Sequence, residues 1–215
     1  MVGTGLTPDQ ANAVLDVVYN GSWATEAGDR LEPAIVRLNT RTNEVKTIVQ
    51  HKSSDRINGY RMAAEFKGKL YFVGFGATST VMEIDPANDN AKVVYSYTET
   101  DMQILRDYSC GVRGLAALDD ELIMSMAFGE NGKSVTKMYS SKNPSSGNWT
   151  EIADSETFDN LPALGRMDSI SGGGIWDIVP FNGDLYVSIV TGRTTTDPNT
   201  GKMTNENAAM RSTAV

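Results

Sequence analysis

The sequence predicts an all-β protein of four-stranded antiparallel units with a short N-terminal helix. Three observations carry this prediction. A hairpin pattern recurs three times without a gap, each copy turns on two polar residues, and the first two copies are followed by a second hairpin.

The first 33 residues form an N-terminal segment. Thr7-Pro8-Asp9-Gln10 reads as a helix start: Thr7 caps, Pro8 suits the first helical position, Asp9 favours the positive end and Gln10 completes a capping box. The helix runs to about Tyr19, with Ala11, Val14, Leu15 and Val18 on one face. A strand over the β-rich stretch Val14 to Tyr19, ended by Asn20-Gly21, is the competing reading.

Strands begin at Ala34. Ala34-Ile35-Val36-Arg37-Leu38 leads through a polar loop, Asn39 to Asn43, into Glu44-Val45-Lys46-Thr47-Ile48-Val49. In the second arm Val45, Thr47 and Val49 alternate with Glu44, Lys46 and Ile48, which is the period of a strand.

The repeat follows. Its copies begin at Gly59, Gly111 and Gly174 and end at Tyr71, Ile123 and Tyr186. Seven residues after each glycine stands Phe66, Leu118 or Phe181. A tight turn comes next, Lys67-Gly68, Asp119-Asp120 or Asn182-Gly183, and then a strand opening at Leu70, Leu122 or Leu185. Gly, Asn and Asp tolerate the positive φ that a two-residue hairpin needs. A second hairpin follows the first copy over Val81–Ile84 and Lys92–Tyr97, and the second copy over Val135–Ser140 and Trp149–Ile152. Residues 59–97 and 111–152 are thus two complete units. Residues 34–50 resemble an outer hairpin without its inner one, and 174–190 the reverse, so the two halves could combine.

Such units, with repeat glycines 52 and 63 residues apart, look like β-propeller blades with loop insertions. Phe-x-Gly-x-Leu-Tyr, at Phe66–Tyr71 and Phe181–Tyr186, resembles blades of bacterial kelch-like and BNR-like propellers. Ser141, Asn143, Gly147 and Trp149 resemble a degenerate Asp-box, with Asn in place of Asp and altered spacing. In that family the Asp-box stabilises a turn and is not catalytic. The resemblance implies a partial or open propeller of about three to four blades over residues 34–192, since closed rings usually hold 4–8. No strand is read in residues 193–215, which are expected to form a poorly ordered tail. Open blade edges would favour self-association.

Composition excludes several classes. The 215 residues carry 19 Lys and Arg against 27 Asp and Glu, a formal net charge of −8. That balance argues against a sequence-independent grip on nucleic acid or anionic lipid. No apolar run reaches the length of a membrane span. Cys110 is the only cysteine, so an intrachain disulfide or Cys-based zinc site is ruled out, and it reads as a small buried hydrophobe. His51 is the only histidine and reads as a loop residue. The turns at Asp85–Asn90 and Asp197–Asn199 lack EF-hand spacing, and Gly172-Gly173-Gly174 lacks the Gly-Lys-Ser/Thr ending of a phosphate loop. No metal or cofactor is therefore expected. No secretory signal is read at the N-terminus, and the location stays open: a missing leader or flanking region would fit an extracytoplasmic or cell-surface protein.

The repeat also aligns Arg61, Arg113 and Trp176, each two residues after its glycine. In a propeller the first strand of each blade lines the channel, whose mouth is the usual ligand site. The resemblance therefore implies that Arg61 and Arg113 converge on a carboxylate, Tyr60 and Trp176 stack on a sugar ring, and Asp177 binds hydroxyls. The competing reading is that the two arginines brace neighbouring blades. The expected function is a non-catalytic module that recognises a glycan or a protein. The alternative is a fragment of a propeller glycoside hydrolase or lyase acting on acidic carbohydrate, with Tyr60, Tyr108, Asp107, Asp168 and Asp177 as available residue types. Arg166 to Ser169 lie in a long loop that reads as a linker, or as part of that mouth.

Overall fold

The computed structural model describes residues 32–76, 78–98, 111–130, 133–154, 157, 174–190, 194–196, 203–205 and 213–214. The proposed N-terminal helix, Cys110, Asp107, Tyr108 and the 166–173 loop lie outside these residues. The described elements are antiparallel strands and two single 3-10 turns.

β1 (Ala34–Leu38) and β2 (Val45–Gln50) form a two-stranded sheet. Its loop is closed by Asn39, whose side chain accepts the Arg41 and Thr42 amides, and by Asn43 at φ 59°. The first four-stranded meander comprises β3 (Ile57–Phe66), β4 (Lys69–Gly76), β5 (Thr78–Asp85) and β6 (Asn90–Thr98). The second comprises β7 (Gly111–Leu118), β8 (Glu121–Glu130), β9 (Lys133–Ser141) and β10 (Thr150–Ala153). β11 (Gly174–Phe181) and β12 (Asp184–Val190) form the third copy of the hairpin.

The repeat turns close as the residue types require. Phe66 pairs with Lys69, Leu118 with Glu121 and Phe181 with Asp184. Lys67 and Gly68 lie at φ 51° and 73°, and Asn182 and Gly183 at 52° and 85°, the positive pair that suits the strand twist.

Two expectations for the ends of the repeat are corrected. The halves do not combine, because β12 takes β15 (Thr213–Ala214) as its other neighbour while β1–β2 remains a separate sheet. The stretch after Gly192 does contain strands: β15, and β13 (Thr194–Thr196) paired with β14 (Met203–Asn205). Backbone groups at an open edge need partners, and β15 supplies them to β12.

Alternation along each strand divides the apolar residues between two faces, so successive sheets stack. Leu70 and Phe72 face β1–β2 with Met82 and Ile84, against Ile35, Ile48 and Val49. Tyr71, Val73, Val81 and Val94 face the second meander, against Val112, Leu115, Leu122 and Met124. Ala116, Ile123 and Met138 then face Ile175 and Ile178 of β11. The order is β1–β2, first meander, second meander and then the β11–β12–β15 sheet, called the third sheet after its copy of the repeat, with β3, β7 and β11 adjoining in turn.

Candidate functional site

The three aligned positions share a backbone defect. Register shifts fall between Tyr60 and Met62 in β3, between Val112 and Leu115 in β7, and between Ile175 and Asp177 in β11. Arg61, Arg113 and Trp176 therefore sit in bulges of three neighbouring strands. A bulge bends its strand and re-aims a side chain out of the regular alternation.

Hydroxyl staples hold these strands together. Ser79 donates to the Gly74 carbonyl and accepts the Val112 amide, both at 2.9 Å. Ser125 accepts the Gly114 amide at 2.8 Å and donates to the Ile175 carbonyl at 3.3 Å. Glycine is needed where the strands come closest. A Cβ on Gly111, at φ 95°, would lie 2.4 Å from Ser79 Cβ, and one on Gly114 would lie 2.9 Å from Ile178 Cγ1.

Within this frame Arg61 donates from Nη2 to the Val112 carbonyl, and its guanidinium lies 5.4 Å from the Phe75 ring centroid. Its Nε is buried and has no hydrogen-bond partner among the described residues. Burial, and then the positive charge of Arg113, lower the Arg61 pKa to about 9. Arg113 is itself buried. The structure thus brings the two arginines within electrostatic reach, and Arg61 braces the next inner strand.

The other candidates separate. Tyr60 faces the β1–β2 side, packed edge-on to Phe72, with its hydroxyl on His51 Nε2. Burial, and then the Asp55 charge, raise its pKa to about 12. Asp177 follows the third bulge and is exposed, with Oδ1 accepting the Ile178 amide at 2.9 Å.

The Asp-box-like loop is structural here. Ser141 Oγ donates to the Asn148 carbonyl at 2.6 Å, and Gly147 ends a 3-10 turn at φ 75°. Asn143 contributes its carbonyl rather than its side chain, accepting the Ser146 amide at 3.0 Å. Trp149 Nε1 lies 3.4 Å from the Val94 carbonyl, and its ring stands edge-on to Tyr95. The loop therefore fastens the second meander to the first.

Two polar clusters escaped the sequence reading. His51, expected as a plain loop residue, is buried between Asp55, at 3.0 Å from Nδ1, and Tyr60. The hydrogen bond from His51 holds the Asp55 carboxyl below its ordinary range. Glu83 is buried in β5, accepting from Lys69 at 2.6 Å, Tyr71 at 2.9 Å and the Ser145 hydroxyl. The four-residue step from His51 to Asp55 was visible in the sequence, but its coupling to Tyr60 depends on the path of the chain into β3. Among the described residues no group of three His, Cys, Asp or Glu is placed to hold a metal. No described helix is long and apolar enough to cross a membrane. No protein-family model matches the sequence, and no curated protein matches it.

Proposed function

We propose that this chain is a binding module of β-propeller type that recognises a carboxylate-bearing glycan at the row of bulges. The supporting observation is the shared defect at Arg61, Arg113 and Trp176 in three adjoining strands. Burial first, and then repulsion from the neighbouring Arg113 guanidinium, disfavour the Arg61 charge. A bound carboxylate would relieve the repulsion and give the free Arg61 Nε an acceptor. The bulged position in β11 carries an aromatic residue type suited to a sugar face, and Asp177 beside it is exposed to solvent.

The test is calorimetric titration of acidic oligosaccharides and their neutral counterparts. The acidic ligands should bind, and Arg113→Ala and Trp176→Ala should each weaken them at least tenfold, about 1.4 kcal/mol. Circular dichroism separates lost binding from a lost fold. Equal binding of neutral ligands, or no effect of either substitution, overturns the carboxylate site. Turnover of fluorogenic glycosides, lost in Arg113→Ala, would favour a hydrolase instead.

A further inference from the structure

The third sheet leaves open a face that the two meanders bury. Counted from the repeat glycines, Ala64, Ala116 and Val179 share one position, Phe66, Leu118 and Phe181 a second, and Tyr71, Ile123 and Tyr186 a third. In the first meander these residues pack against the second meander. In the second they pack against β11 and β12. In the third sheet Val179, Phe181 and Tyr186 are exposed.

The aromatic pair makes the equivalence concrete. Phe66 and Tyr71 have centroids 6.4 Å apart and are 5% and 2% exposed. Phe181 and Tyr186 form the same pair at 6.2 Å but are 60% and 43% exposed. The hydroxyl staple is repeated too. Ser188 accepts the Asp177 amide at 3.0 Å, as Ser125 accepts that of Gly114. Ser125 also reaches the next inner strand, at the Ile175 carbonyl. The internal seams therefore show what this face is shaped to receive, namely another sheet of the same stack. At the opposite end β1–β2 buries Ile35 against the first meander and exposes Val36, Leu38 and Val45.

We propose that these two end faces meet between copies of this chain, the third sheet of one seated on the β1–β2 sheet of the next. The contact joins two different surfaces, so it is heterologous and head to tail. Leaving aside the β13–β14 pair, each copy contributes four stacked sheets, so two copies closed in this way stack eight, within the range of closed propellers. The proposal rests on repeat equivalence and not on the carboxylate site, and its readout is mass rather than ligand binding.

The experiment is sedimentation velocity over a concentration series for the wild type, Phe181→Asp and Val45→Asp. Both positions are exposed, so each variant should keep the wild-type circular dichroism spectrum. The wild type should sediment above monomer mass, and each variant alone should associate at least tenfold more weakly. An equimolar mixture of the two should regain a dimer, because one intact pair of faces remains between them. A monomeric wild type overturns the proposal and points to cover from within a single chain. Variants that still self-associate, or a mixture that stays monomeric, overturn the head-to-tail contact.

Discussion

The two seams flanking the first meander are built on the same plan with different chemistry. On each, an outer turn reaches back and fastens onto the preceding sheet. Toward β1–β2 the turn at Asp89 does this with a half-buried carboxylate and two exposed cations, pairing with Arg37 at 2.5 Å and Lys46 at 2.8 Å. Toward the second meander the Asp-box-like loop sends Ser145 onto buried Glu83 and receives Lys67, Lys69 and Lys92. The apolar layers differ in the same sense, with a small cluster under β1–β2 and an extended one between the meanders. A shared backbone repeat thus leaves the strength of each seam to its side chains. The cations reach water on both seams, but the Glu83 carboxylate is buried more deeply than that of Asp89.

Removing the buried carboxylate should break the comparison most strongly. Glu83→Ala strands the buried Tyr71 hydroxyl and takes from Lys69 and Ser145 the carboxylate they share. The expected loss is about 3 kcal/mol, typical of breaking a buried ion pair from one side. Urea unfolding followed by tryptophan fluorescence measures it. A loss no larger than that of an exposed pair would place the weight of this seam on its apolar layer alone.

The acid limb of the stability curve sharpens the same point. Burial on its own would raise the Glu83 pKa, but hydrogen bonds from Lys69, Ser145 and Tyr71 together hold it below the ordinary 4.5. Its stabilisation is therefore fully present above pH 4.5 and is lost as the pH falls through the lower, folded-state value. The wild type should accordingly lose its advantage over Glu83→Gln in that window. Asp55 and Asp89 also have lowered pKa values, but both remain in each protein and cancel in the difference. A stability gap unchanged with pH would show that Glu83 is not ionised in the fold.

The strands were legible because their signals are local. Alternation at Val45, Thr47 and Val49, and polar turns such as Asn182-Gly183, act over a few residues. The division of Tyr71 and Leu70 between opposite clusters follows from period-2 geometry once the strand is known. Partnership between distant segments was not legible. Nothing near Asp184–Val190 announces Thr213–Ala214 as its neighbour, and nothing in Val81-Met82-Glu83-Ile84 announces Ser145. The aligned arginines were visible as a pattern. Their bulges were not, because a bulge is defined only by the strand opposite. The brace from Arg61 to Val112 and the separation of Tyr60 from Arg61 follow from that unseen irregularity.

The smallest expected effect tests the weaker seam. Asp89→Asn removes the charge and keeps a residue type that tolerates the backbone at φ 60°. Arg37 and Lys46 are each 52% exposed along their side chains, so both already interact with water. The substitution should destabilise less than Glu83→Gln in low salt. The loss caused by Asp89→Asn should vanish near 1 M salt, where the screening length falls to about 3 Å. Urea unfolding of both variants at the two salt levels provides the measurement. A salt-resistant loss as large as that of Glu83→Gln would mean that charge, rather than Ile35, Met82 and Ile84, holds β1–β2 to the stack. The two seams would then be energetically alike despite their different exposure.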